Sequence, residues 1–592
     1  MSQTRWLVFL LCVFLLALEA CSGTPESMSE ATLARPTSTP QPTSTSQPAS
    51  TAEPIFTSEP IFTSEPTSTP EPTTLSTRPK TVLPTTTPTP LPQGGTVVVG
   101  GLIEPITLNP LLADDEASLA VVSLIFDSLL AVDPRTGALV PNLARAWQVS
   151  ADGLTITFDL RDDVLWHDGE TFTAEDVKFT FEAIANTSPG LSTGLGVDNP
   201  RRFDLALVEE FQAPDAKTFL VNLSEPSCSA LYDLGLLPIV PRHLAQQQAT
   251  AIGTGPFMLR EWLHGDRITL MRNPHYWRGA PRLDTLIYRV LADEEELLAE
   301  LGAGQIDVAQ IRPEDLARVE AAGRLEVYRY PAAEGYFIAF NNDHSVLGDR
   351  GVRQALSYAL DREQLVDQIL LGQGTLLATG LLPGHWALRG GDGPSLYDYN
   401  PGEARRLLAE AGWSDSDGDG ILDREGEPFQ LSLTTNAGNG ARQAIAILAG
   451  QYYRAIGVAA QVELVEWGNL LQRMFSHRFD AVVLSWPLEL DPDQREFWHC
   501  EENALGSGFN FVSYCNPHLD ALLIEGATMP SCDSERRAEI YGEMASILTE
   551  DRPYDFLFAP DNLLAANRRV VGPDPSPFAG LYWNVADWYV TQ

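Results

Sequence analysis

The chain has 592 residues, 44% hydrophobic and 20% charged, enough for two or three globular units that each bury a sizeable interior. Its 39 Lys and Arg against 79 Asp and Glu give a net charge of -40. A surface of that sign repels phosphate backbones, which excludes nucleic acid as a partner and leaves small solutes open.

Arg5 is the only positive residue before an apolar run from Trp6 to Leu18, which is followed by Ala20 and Cys21. That run is too short to span a bilayer, which needs about 20 residues, and it reads as an export signal over 1–21. Leu18-Glu19-Ala20-Cys21 resembles a lipobox, with Cys21 the acylated residue and Glu19 standing where a small residue is usual. From 22 to 93 the sequence is rich in Pro, Thr and Ser, and Glu-Pro-Ile-Phe-Thr-Ser occurs twice in tandem at 53–58 and 59–64. Such a composition cannot offset its ordering entropy, so a disordered stalk is expected.

The globular part opens with a strand at Thr96–Gly100, and an amphipathic helix follows through Leu119, Val122, Ile125, Phe126 and Leu129. Leu154–Leu160 alternates as a strand. After the turn at Asp168-Gly169, Thr173 is expected to cap a helix with Asp176 as its acidic partner. Helices are expected at 350–371, 401–411, 440–457 and 534–550, and strands at 285–290, 429–435, 461–466 and 480–485. Alternation of this kind argues for an α/β protein with mixed sheets. The cysteines left after Cys12 and Cys21 are Cys228, Cys500, Cys515 and Cys532. Four thiols allow three complete pairings. A Cys500–Cys515 bridge is favoured because it closes a short Gly/Asn-rich loop, worth about 3 kcal/mol on the chain-entropy model. The pairing of Cys228 and Cys532 stays open.

The stretch Leu143-Ala144-Arg145-Ala146-Trp147, then Trp166-His167-Asp168-Gly169-Glu170-Thr171-Phe172-Thr173-Ala174-Glu175-Asp176-Val177, is followed in order by Gly253-Thr254-Gly255-Pro256-Phe257, Arg272-Asn273-Pro274 and Gly304-Gln305-Ile306-Asp307. Phe340-Asn341, Val352 through Arg362, Asp491-Pro492-Asp493 and Tyr514-Cys515-Asn516-Pro517 complete the series. Together they resemble the bacterial extracellular solute-binding proteins of family 5, the peptide- and nickel-type receptors of ABC importers. The resemblance implies a two-lobed periplasmic-binding-protein-like fold (type II) with the ligand cleft between lobes. Lobe I would be 95–343 plus 563–592, with an extra subdomain near 130–250, and lobe II 344–562. It implies a monomeric lipoprotein with no enzymatic activity that closes on a di- or oligopeptide and delivers it to an ABC permease and its ATPase. Asp491 is expected to anchor the ligand ammonium. Trp486, Asn436, Asp114, Tyr336 and Asn341 are the other expected ligand contacts. An oligosaccharide or another small solute is the alternative ligand, and a secreted hydrolase or chemosensory receptor the alternative function.

The HExxH motif of zinc hydrolases is absent, and the nine histidines are scattered. His167, flanked by Trp and Asp in a turn, reads as structural. Asp415-Ser416-Asp417-Gly418-Asp419-Gly420 matches the opening half of a calcium loop, with Asp423 at its ninth position. Gly426 stands at the twelfth, where a bidentate Glu is needed, so a solvated turn is favoured over calcium. No cofactor is expected otherwise.

Overall fold

A computed structural model describes residues 93–185, 201, 205–244, 251–389 and 397–591. The expected signal, Cys21 and all but the last residue of the expected stalk lie outside these residues. Among the described residues no helix is long and apolar enough to cross a membrane.

The first half of the body is built on β1 (Thr96–Gly101), where Val97 and Val99 face inward. Next come α1 (Glu116–Ile125), β2 (Ala144–Val149), β3 (Thr155–Leu160), α2 (Ala174–Ala185), β4 (Val208–Asp215) and β5 (Thr218–Leu223). Strands β6 (Phe257–Leu263), β7 (Arg267–Arg272) and β8 (Thr285–Val290) lead through α3 (Glu294–Ala303) to β9 (Val308–Ile311) and β10 (Leu325–Pro331). The second half contains β11 (Glu334–Phe340), α4 (Arg350–Tyr358), α5 (Arg362–Leu370), β12 (Gln430–Asn436), α6 (Gly440–Ala455) and β13 (Ala459–Val465). It continues with α7 (Trp467–Phe475), β14 (Ala481–Pro487), α8 (Pro517–Thr528), α9 (Ser534–Asp551) and the long β15 (Tyr554–Asn567).

Two local expectations change. The helix expected through Leu129 ends at Ile125, and Phe126 leaves it in an extended conformation. The single helix expected over 350–371 is two, because the Asp361 side chain accepts from Gln364 N–H and starts a second helix there. Asp176 receives both the Thr173 N–H (2.9 Å) and the Thr173 hydroxyl (3.1 Å), and its other oxygen takes the Arg242 N–H at 3.0 Å. The start of α2 is thereby tied to a segment 66 residues away.

The main sheet has twelve strands, in the order β13-β12-β14-β11-β15-β9-β1-β8-β7-β6, with β10 and a short strand at 374–376 also bonded to β15. Strand β1 is parallel to β8 and β9, and β12 is parallel to β13 and β14. Both parallel groups are joined by β15, which runs antiparallel to β9 and to β11. Hydrogen bonding passes from the first half to the second between Pro331 and Glu334, ahead of the boundary expected at 343/344, because β11 pairs along its length with β14. The return passage lies inside β15, whose residues 554–558 pair with β11 and 563–566 with β9. A separate four-stranded sheet, β4-β5-β3-β2, has its own core of Phe158, Phe181, Phe219 and Trp166.

Candidate functional site

The directions of the strands locate a crevice. In β9, Ile311 lies opposite Leu563, so the carboxyl ends of β1, β8 and β9 point at the passage between the halves. In β14, Pro487 lies opposite Glu334, so β12 and β14 point at the same passage from the other side. Strand β12 exits to α6, whose Ile445, Ala446 and Ala449 pack on one face of the sheet. Strand β14 exits to Leu488, packed with α7 residues Leu470 and Met474 in a different core. Adjacent strands whose exits go to different cores leave an opening between their carboxyl ends, which is where open α/β sheets hold ligands.

Asn436 closes β12 and Ser485 lies near the end of β14. Between them sits the guanidinium of Arg442, which donates to Asn436 Oδ1 (3.1 Å) and to Ser485 Oγ from Nη2 (2.7 Å) and Nε (3.3 Å). Its position follows from the local sequence, because Asn439 caps α6 by accepting the Arg442 N–H at 3.0 Å, so Arg442 occupies the first turn. Trp467, the first residue of α7, stands 5.6 Å from the guanidinium carbon. Among the described residues all three hydrogen bonds of Arg442 go to neutral oxygens, leaving two of the five guanidinium N–H groups. Burial holds the Arg442 pKa below its ordinary value, opposed by Tyr336 and Glu334. On the opposite side, the chain leaving β1 exposes Leu102, Ile103 and Ile106, the last 76% accessible.

The expected site residues divide. Asn436 lies on the crevice edge, and Tyr336 is paired across the sheet with Ser485, buried and stacked on Phe558 at 5.5 Å. Trp486 is half-buried at the end of β14 among Phe337, Phe497 and Phe511. Asp114 is exposed just before Asp115, which caps α1. Asn341 does not belong to the crevice. It closes β11 at the end away from the passage, and its amide holds the His477 and Phe479 carbonyls at 3.1 and 2.8 Å.

Asp491 is not a carboxylate waiting for a ligand cation. Both its oxygens accept from Arg537 Nη2, at 3.1 and 2.9 Å, with the two side chains 10% and 3% exposed. The burial that made a cationic partner necessary is met inside the chain. Burial pushes the Asp491 carboxyl up, against the pull of Arg537. Arg442 was missed by sequence reasoning. Its one signal is a cation in the first turn of a helix, where the macrodipole favours acids.

His167 is structural. Its Nδ1 accepts the Gly253 N–H at 3.2 Å, its Nε2 lies 3.0 Å from the Gly255 carbonyl, and burial lowers its pKa to about 4. Asp415, Asp417 and Asp419 gather their carboxylate oxygens within 4.8 Å on an exposed loop. Asp423 is not with them, because Ser416 takes its carboxylate through both N–H and hydroxyl. Asp415 itself accepts the Gly418 and Gly420 N–H groups, as a closed turn requires. Cys500 is bonded to Cys515, and Cys228 to Cys532.

Residues 138–503 match the model of the bacterial extracellular solute-binding proteins, family 5. The chain belongs to that family. It is 30% identical over 507 residues to an oligopeptide-binding protein, AppA, of Bacillus subtilis, covering 84% of this chain and 92% of the relative. Among solved structures it is similar to AppA from Bacillus subtilis in complex with a nonapeptide, at 29% identity with a TM-score of 0.58, covering 85% of this chain and all of that one. It is also similar to NikZ from Campylobacter jejuni in complex with Ni(L-His), at 26% identity with a TM-score of 0.60, covering 83% and 99% of the two chains. This family 5 protein therefore has the family's two-lobed α/β fold with mixed sheets, works outside the cytoplasm, and is a binding protein of a transporter and not an enzyme.

Proposed function

We propose that this family 5 protein is a lipid-anchored peptide receptor, held to the membrane through Cys21, that hands its ligand to an ABC permease and the ATPase behind it. Its lobes, one built on β1, β8 and β9 and the other on β12 and β14, close over a di- or oligopeptide in the crevice between their carboxyl ends. A ligand drives such a closure only through its greater affinity for the closed form. The observation that carries the reading is the Arg442 guanidinium at the crevice edge, bonded to neutral oxygens alone and suited in charge and shape to a carboxylate. Kinship to an oligopeptide-binding protein over most of the chain supports a peptide as the bearer of that carboxylate.

The test is titration calorimetry with matched peptides ending in a free carboxylate or an amide. The free acids are expected to bind at least about tenfold more tightly, the value of one charge-assisted hydrogen bond. That preference is expected to vanish in Arg442→Gln and to survive partly in Arg442→Lys. Equal binding of acid and amide, or tight binding of an oligosaccharide in their place, would contradict the reading.

A further inference from the structure

Among the described residues, two strand passages and one disulfide join the two halves of the body covalently. The disulfide is Cys228–Cys532, which links positions 304 residues apart. Cys228 lies between β5 and the short helix Ala230–Gly235. Cys532 lies between α8 and α9, and its side chain packs against the core of the four-stranded sheet. A backbone hydrogen bond from Cys228 N–H to the Ala527 carbonyl, at 2.8 Å, accompanies the bridge. Nearby, the Trp386 N–H donates to the Thr136 carbonyl at 2.8 Å.

Each end of the bridge is coupled to one wall of the crevice. On the second half, α9 follows Cys532 directly and carries Arg537, which grips Asp491 four residues beyond the end of β14. On the first half, the four-stranded unit is held by His167 to Gly253 and Gly255, just ahead of β6. Asp127, at the exit of α1, accepts from Thr254 and Trp277 at 3.1 Å each and continues that link. A hinge made of two strand passages leaves rotation about the line through them as its easiest motion. A covalent tie on neither passage stops that rotation unless the four-stranded unit parts from one of its neighbours.

We infer that the Cys228–Cys532 bridge is a strap that limits how far the crevice opens. The inference rests on the lobe-closure reading above but not on the identity of the solute, and its test needs no ligand. Nitroxide labels are carried on p-acetylphenylalanine at the exposed positions Glu261 and Glu427, one in each half, so that no cysteine chemistry is involved. Distances between them are measured by pulsed electron resonance in the full-length chain. The expected result is a narrow distribution in the parent and in Cys500→Ser/Cys515→Ser. In Cys228→Ser/Cys532→Ser it is expected to be broader and shifted to longer distance. Superimposable distributions in all three chains would overturn the inference. Should the Cys228→Ser/Cys532→Ser chain not fold, the Cys500→Ser/Cys515→Ser chain, reduced with a phosphine after folding, gives the same comparison with the same two outcomes.

Discussion

Asp491 and Arg442 show how a side chain's role depends on what its neighbours already supply. Asp491 follows β14, where an ammonium anchor was expected, yet Arg537 occupies both its oxygens. Asp491→Asn therefore acts on stability. It leaves a buried guanidinium without its counter-charge, at about 3 kcal/mol or more. Chemical denaturation should show that loss, and peptide affinity should change little. Unchanged stability with affinity down tenfold would restore Asp491 as the ligand's anchor. Sequence could not separate these outcomes, because Arg537 lies 46 residues further on and only the packing of α9 brings it there. Arg442 was hidden for the same reason, since its hydroxyl partner Ser485 is 43 residues away. The place of Asn436 at the crevice edge was legible through the family's topology, at the end of a strand that hydrophobic alternation identifies.

Elements are held to one another by neutral histidines. His167 fastens the turn ahead of α2 to the segment before β6. His385 does the same for the second half, with Nε2 3.0 Å from the Leu490 carbonyl and Nδ1 accepting the Ala387 N–H at 3.2 Å. Burial lowers both pKa values from 6.5 to about 4. Below pH 6.5 the unfolded chain takes up protons that the folded chain refuses, so folding loses stability as the pH falls from 6.5 towards 4. Each histidine contributes up to about 3 kcal/mol of that loss, and none of it above pH 7. Thermal melts across this range should fall, and His385→Gln should flatten the fall. An unaltered slope would mean His385 is protonated in the fold. Most of these elements were readable from periodicity, including β1, β3, β8, β12 and α6. The break between α4 and α5 was not, since Val352, Leu356 and Leu360 before it and Leu365 and Val366 after it all enter one core, and only the Asp361 cap marks the new helix.

At the scale of the molecule, one long strand joins two parallel groups whose carboxyl ends converge, and the crevice is a consequence of that topology. The order of family motifs made the fold readable, while the lobe passage at Pro331–Glu334 and the Cys228–Cys532 tie depend on strand pairing and docking that no local pattern encodes. The same topology serves relatives that hold a nonapeptide and a nickel–histidine complex, so the ligand is decided by the crevice edge and not by the fold. Native mass spectrometry of the purified protein, before and after unfolding and refolding, tests the central claim most directly. A ladder of peptide masses is expected on the protein as purified, lost on refolding and depleted in Arg442→Gln. A single non-peptide adduct, or a ladder that Arg442→Gln leaves intact, would contradict it.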